Sequence, residues 1–218
     1  MTKTLIKGGT IISMDRKTGD FAKGDILVNG TEIEKIGKSI RSPGAKVIDA
    51  TGMIVMPGFV NAHLHTWQTG IRGVAGNWSI PEYLHQMHAT IAPRYTAKDT
   101  YLGNLVGALN QINLGATSVF DWCHNNSTPA HSDAGVRGLQ ESGIRALFGH
   151  GSPKPNAAAG AKHFSEIPHP RKELERLRKG ALSDDDGLVT LAMAALGVDF
   201  STWEVVEHDF RLAKELDL

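Results

Sequence analysis

Apolar and polar positions follow two different patterns along this chain, and the first pattern covers residues 1–56. Short apolar runs there are separated by turn residues, and they predict strands at 4–7, 10–13, 25–28, 32–36 and 46–48. Asn29-Gly30, which lies between two of these runs, is typical of a tight β-hairpin. We therefore expect a small β unit that is too short to close a sandwich by itself.

Strands alternate with amphipathic helices in the rest of the chain. The apolar runs predict strands at 53–65, 116–122, 144–148 and 188–196. Helical spacing and capping residues predict helices at 96–113, 128–143, 170–179 and 202–216. The run 53–60 has no polar side chain, as expected for a strand buried on both faces. Four βα units in succession imply parallel strands, so residues 57–218 are assigned to a second domain, of the α/β class.

Composition and charge exclude several classes of partner. The 218 residues are 41% hydrophobic and include 23 basic and 23 acidic side chains, so no net charge attracts nucleic acid or an anionic membrane. No apolar run predicts a membrane span, and the N-terminus lacks the apolar core of a signal peptide. The single cysteine, Cys123, agrees with a reducing compartment, and a cytoplasmic location is expected.

Two histidines, His63 and His65, end the first strand of the second domain. Residues i and i+2 on a strand share a face, so both imidazoles can converge on one metal ion. Pro57-Gly58 precedes them and a glycine-containing loop at 66–73 follows them. The pair is therefore predicted to form part of a metal site, and two histidines that only fill a strand end are the structural alternative.

Other candidate residues follow the strands at the same edge of the predicted sheet. Gln68, in the first loop, can hydrogen-bond a substrate, and Trp67 can stack on a planar ring. His124 follows the second strand and His150 ends the third, where each can reach substrate or a metal-bound water. Packing of the loop, or a buried hydrogen-bonded histidine, is the structural alternative for each of them.

Four further aromatic or histidine positions are weaker candidates. Trp78 and Tyr83 can also stack on a substrate, although packing against the barrel is the alternative. His85 and His88, spaced i, i+3 on a predicted helix, can chelate a metal, although an exposed helical pair is the more common arrangement.

Five sequence segments together resemble the amidohydrolase superfamily, within its cytosine-deaminase-like and triazine-chlorohydrolase-like group. They are residues 25–30 (Asp-Ile-Leu-Val-Asn-Gly), 48–53 (Ile-Asp-Ala-Thr-Gly-Met), 57–65 (Pro-Gly-Phe-Val-Asn-Ala-His-Leu-His), 114–118 (Leu-Gly-Ala-Thr-Ser) and 142–146 (Ser-Gly-Ile-Arg-Ala). The resemblance implies the N-terminal half of a (β/α)8 TIM-like barrel, preceded by part of a small β-sandwich. It also implies that His63 and His65 are the first two ligands of one catalytic metal ion.

The chemistry implied by the resemblance is metal-dependent hydrolysis of a small heterocycle, most simply a deamination that releases ammonia or an amine. Zinc is the expected metal, and Fe²⁺ or Mn²⁺ also accepts imidazole ligands. Because the strand at 188–196 has no lysine to bridge two metals, a single ion is expected. A dechlorinating or cyclic-amide hydrolase of the same superfamily is an alternative, as is a non-catalytic half-barrel that requires a partner segment.

The remaining residues of the family's site are not found in this chain. The family takes a His from strand five, a His and an acid/base Glu from strand six, and an Asp from strand eight. The 218 residues are therefore expected to be catalytically incomplete, interrupted before strand five, and to function with the missing C-terminal half of the barrel. A homo-oligomer is also expected, and a half-barrel that dimerises is the minority alternative.

Overall fold

The computed structural model describes residues 2–218, and two compact units can be distinguished in it, Met1–Gly58 and Phe59–Leu218. Within the described part of the chain, no helix has both the length and the apolar character needed to cross a membrane.

The first unit is a five-stranded sheet. Its strands are β1 (Lys3–Ile11), β2 (Phe21–Asn29), β3 (Glu32–Gly37), β4 (Lys46–Asp49) and β5 (Ile54–Val55). The order is β3-β2-β1-β4, and β5 also pairs with β1. The predicted hairpin at Asn29-Gly30 is confirmed, with Gly30 at a φ of 62°. The two runs predicted at 4–7 and 10–13 form one strand, β1, which has register shifts around Gly9.

The strand predicted at 53–65 is two strands. Ile54–Val55 pairs with β1 in the first sheet, whereas β6 (Phe59–Leu64) begins the second unit. Pro57 lies between them and has no N–H to continue a ladder, which explains the break. The prediction that this run is buried on both faces is also wrong, because β6 is an edge strand and Val60 is 70% exposed.

The second unit is an α/β structure with a four-stranded parallel sheet in the order β6-β7-β8-β9. The later strands are β7 (Ala116–Cys123), β8 (Arg145–Gly151) and β9 (Val189–Ala194). The helices are α1 (Ile80–Tyr83), α2 (Ala97–Asn113), α3 (Pro129–Ser142), α4 (Arg171–Lys179) and α5 (Trp203–Leu216). A π-helical segment, Leu84–Ile91, and short 3-10 helices at Thr66–Ile71, Ala92–Arg94 and Phe164–Glu166 lie in the loops. The four longer helices confirm those predicted from apolar spacing.

One face of the parallel sheet is covered by helices and holds the core. Val119 of β7 and Phe148 of β8 pack there with Leu139, Leu174 and Leu177 of the helices, all of them buried. Cys123 is also buried on this side, at the end of β7. The opposite face is open, and Leu147 on that face is 40% exposed.

Close helix packing depends on glycines in α2 and α3. A Cβ atom at Gly138 would lie 2.7 Å from the carbonyl oxygen of Tyr101, and one at Gly103 would lie 2.5 Å from that of Trp67. Real Cβ atoms do not approach backbone oxygens this closely. α2 therefore lies directly on α3 and on the loop that follows β6.

Candidate metal and substrate site

A β-bulge in β6 sets the direction of its two histidines. Asn61 pairs with Val119 and Leu64 pairs with Asp121, so β6 has one more residue than β7 between these two pairs. Before the bulge, the Asn61 amide faces the helices and donates to Gln111 Oε1 of α2 at 2.9 Å. After it, Leu64 packs into the core, and the neighbouring histidines lie on the open face.

His63 and His65 lie side by side at this strand end. Their ring centroids are 4.9 Å apart at an interplanar angle of 75°. The Nδ1 atom of His65 lies 2.9 Å from the carbonyl oxygen of Trp122. A carbonyl can only accept, so Nδ1 carries the proton and the Nε2 lone pair is free. Burial lowers the pKa of His65, which favours this neutral form.

This arrangement fits an imidazole ligand of a divalent metal. Histidines that bind metals generally donate their second ring N–H to a carbonyl or carboxylate, which fixes both the tautomer and the ring orientation. His65 meets this condition through Trp122. Among residues 2–218, no group of three or more His, Cys, Asp or Glu side chains is placed to hold a metal, so the pair accounts for only part of a coordination shell.

Two more histidines lie behind the pair. The ring of His124 stacks on His65 with centroids 4.3 Å apart, and His88 lies 4.2 Å from His124. Trp67 donates from Nε1 to His124 Nδ1 at 2.9 Å, so the neutral ring of His124 carries its proton on Nε2. Burial lowers the pKa of His124 well below its ordinary value and that of His88 to about 3. His65, His88 and His124 are therefore neutral near pH 7.

The histidines line a cavity of about 380 Å³ that is partly aromatic. The other residues that line it are Ile80, Tyr83, Leu84, Trp122, Lys154, Phe164, Leu196, Asp199 and Phe200. A second pocket, of about 350 Å³, also includes His63 and His65, and Gln68 lines that pocket. The Gln68 amide donates to the Tyr83 hydroxyl at 2.7 Å, which links the two pockets.

Of the candidate residues predicted from sequence, the structure brings together His63, His65, Gln68 and His124. Trp67 is fully buried and does not line the cavity, and it lies behind the site, where it donates a hydrogen bond to His124 and its ring is near that of His88.

His150 lies elsewhere. Its ring is buried and does not line the cavity, and neither ring nitrogen has a hydrogen-bond partner among the described residues. Burial lowers the pKa of His150 to about 4. Its carbonyl oxygen accepts from His169 Nε2, which ties the end of β8 to the segment before α4.

The four weaker aromatic and histidine candidates lie in different surroundings. Tyr83 lines the cavity, whereas Trp78 packs against the core. His85 is exposed and lies 3.4 Å from the Asn156 amide, so it does not converge with the buried His88 on a metal.

Two polar residues that line the cavity were not assigned to it from the sequence. His88 was considered only as a partner of His85, and Lys154 was treated as part of an irregular loop at 152–161. A lysine between two prolines, directly after a strand whose carboxyl end carries candidate residues, was the available signal for Lys154.

Sequence comparison finds relatives among deaminases, although no protein-family model matches the chain. The chain is 33% identical over 151 residues to the 5'-deoxyadenosine deaminase of Methanosarcina mazei, covering 69% of this chain and 34% of that protein. It is 35% identical over 154 residues to the 5-methylthioadenosine/S-adenosylhomocysteine deaminase of Symbiobacterium thermophilum, with the same coverage of 69% and 34%. The chain thus spans about a third of the length of these curated relatives.

Structure comparison finds a larger matching part. A mutant atrazine chlorohydrolase of Arthrobacter aurescens, complexed with zinc and atraton, superposes with a TM-score of 0.82 at 21% identity, covering 99% of this chain and 51% of that one. At this identity the match establishes the fold. The relatives found by sequence are therefore deaminases, the fold is that of the atrazine chlorohydrolase, and the chain corresponds to about a third to a half of the length of these proteins.

Proposed function

We propose that this chain supplies the first four βα units, and part of the β-sandwich, of a metal-dependent deaminase acting on a small heterocycle. In this proposal the sandwich part is residues 1–56 and the barrel part is residues 57–218. The observation that carries the proposal is the pairing of His63 with His65 beside an aromatic cavity, with the free Nε2 of His65 directed by the Trp122 carbonyl. The sequence similarity to deaminases supports it.

The metal would be held by His63 and His65 together with ligands outside the described residues. Zinc fits the imidazole donors, and a zinc ion is present in the atrazine chlorohydrolase complex. When bound, such an ion lowers the pKa of a coordinated water to about 7, which makes hydroxide available at neutral pH.

The protein's own residues orient the substrate and the metal ligands. Trp122 and Tyr83 provide aromatic faces on which a planar ring can stack. His124 can donate from Nε2 in the cavity, and in the adjoining pocket the amide oxygen of Gln68 can accept, because it has no hydrogen-bond partner within residues 2–218. These groups distinguish donors from acceptors on the ring edge and so favour a nitrogen heterocycle.

Dechlorination is the second candidate activity, because the fold matches an atrazine chlorohydrolase with a TM-score of 0.82. Both reactions replace an exocyclic substituent of an electron-poor ring by a hydroxyl group. We favour deamination, since the relatives found by sequence at 33% and 35% identity are deaminases.

The proposal is tested by the metal content, after dialysis against zinc, of the complete enzyme, in which the remaining proposed ligands are present, and of its variants. We expect His63→Ala and His65→Ala each to lower the bound zinc measured by elemental analysis, because each removes an imidazole donor. His85→Ala is the matched control, since this exposed histidine lies outside the cavity. Zinc content that is unchanged in both site variants would refute the metal assignment and favour a non-catalytic role.

A further inference from the structure

The ammonium group of Lys154 is buried and has few hydrogen-bond partners. The residue is 9% exposed, and its Nζ atom donates to the Ser152 carbonyl oxygen at 3.1 Å. Within residues 2–218 this is its one hydrogen bond, although an ammonium group has three donors. Burial lowers the pKa of Lys154 to about 8, so the group is still mainly charged at neutral pH.

The surroundings of Lys154 provide no counterion among the described residues. His65, His88 and His124 are close enough for its charge to lower their pKa values further. Asp199 is the one carboxylate among the residues that line the cavity; it is exposed, and it does not raise the pKa of Lys154 as an ion-pair partner would. A buried charge without a partner is costly, and a buried charged group that lines a cavity is a candidate for binding a ligand of opposite charge.

We infer that Lys154 determines substrate specificity by binding a carboxylate carried by the heterocyclic substrate. The inference rests on the proposed function, because it takes the cavity beside His63 and His65 as the substrate site. A carboxylate fits better than a phosphate, since no arginine lines the cavity and a single ammonium group balances a single negative charge.

Two probes of equal size test this inference. The ligand 6-aminonicotinate carries a carboxylate, whereas 6-aminonicotinamide has a neutral amide in its place. We would measure their affinities for the 218-residue chain by isothermal titration calorimetry, with EDTA present so that no metal binds the carboxylate. The wild-type chain should bind the carboxylate about tenfold more tightly than the amide, as expected for a charge-assisted hydrogen bond.

Variants of Lys154 separate its charge from its packing. Lys154→Met should remove the preference for the carboxylate while leaving the affinity for the amide unchanged, and Lys154→Arg should retain part of the preference. Lys162→Met, which alters an exposed lysine in the same connection between β8 and α4, is the control and should behave as wild type. Unchanged affinity for the amide shows that the cavity of the methionine variant is intact.

The outcomes distinguish this inference from the proposed function. Equal or undetectable binding of the two probes by the wild-type chain, or a preference that survives in Lys154→Met, overturns the role of Lys154. If the preference depends on Lys154 but zinc content is independent of His63 and His65, the carboxylate site stands and the metal assignment fails.

Discussion

At the scale of single residues, the orientation of His65 depends on the backbone. Its ring N–H donates to the carbonyl oxygen of Trp122, so the side chain at position 122 can change without loss of this acceptor. The side chain of Trp122 is instead available to line the cavity. One residue of β7 therefore contributes in two separable ways, through its carbonyl to the tautomer of His65 and through its indole to the cavity wall.

Asp121 joins three segments around the site. Its carboxylate accepts from the Thr66 backbone N–H at 3.0 Å and from the Asn104 amide at 2.9 Å. It is completely buried, and burial raises its pKa from 3.8 to about 6. The folded protein therefore holds a proton here more tightly than the unfolded chain does.

This shift predicts a dependence of stability on pH. The shifted pKa of Asp121 adds to the free energy of unfolding at low pH. This contribution is fully present below the unfolded pKa of 3.8 and is lost as the pH rises through about 6, and it amounts to on the order of 3 kcal/mol. Asp121→Asn cannot titrate, so we expect its free energy of unfolding, relative to wild type, to increase between pH 4 and pH 6. Urea denaturation across this range measures the difference, and parallel pH profiles would contradict the shifted pKa.

At the scale of secondary-structure elements, α2 positions the loop that follows β6. Gly103 and Gly107 let the helix backbone approach this loop, and a Cβ atom at Gly107 would lie 2.4 Å from Thr69 Oγ1 and 2.6 Å from Thr66 Cγ2. The same loop carries Gln68. Close helix packing thus determines where a proposed substrate contact lies.

We expect Gly103→Ala to destabilise the protein, although alanine is favoured over glycine in helices by about 1 kcal/mol. The new methyl group would meet the carbonyl of Trp67 at 2.5 Å, and overpacking of this kind typically costs about 1–3 kcal/mol. Asn113→Ala, at the exposed end of the same helix, is the control for helix propensity. Thermal denaturation compares the two variants, and a stabilised Gly103→Ala would show that the loop moves aside without cost.

Elements with a strong local pattern could be predicted from sequence, whereas those set by contacts between distant residues could not. Thr96 and Asp99 form a capping box at the start of α2, and Gly143 ends α3 in the left-handed region, so both helices were found. The bulge in β6 depends on its register with β7 and has no local signal. The pair of His63 and His65 is local in sequence and could be predicted. His88 and Lys154 come from other segments, so their position beside this pair could not be predicted.

At the scale of the whole molecule, the parallel sheet of the second unit leaves apolar surface exposed. Its outer strands in the described chain are β6 and β9, and Val60 and Leu147 lie on the open face with exposures of 70% and 40%. Unpaired strand edges and contiguous apolar surface both promote association. We propose that in the complete enzyme this face is covered by the remaining part of the barrel.

The 218-residue chain alone is therefore expected to self-associate. Sedimentation velocity over a range of protein concentrations should show an increasing average mass, and Val60→Lys should reduce the association, because it places a charge on the open face. Val198→Lys is the matched control, since this valine is 68% exposed but lies in the connection after β9. A wild-type chain that remains monomeric throughout would contradict the expectation.

The buried thiol of Cys123 can report local opening of the protein through its reactivity. This is the chain's one cysteine, and burial raises the pKa of its thiol well above the ordinary value. The thiol is therefore protected from alkylating reagents while it stays buried. It directly precedes His124 at the end of β7. The rate at which the native protein consumes a thiol reagent therefore measures how often this end of the sheet opens, at the strand that orients His65, without any engineered label.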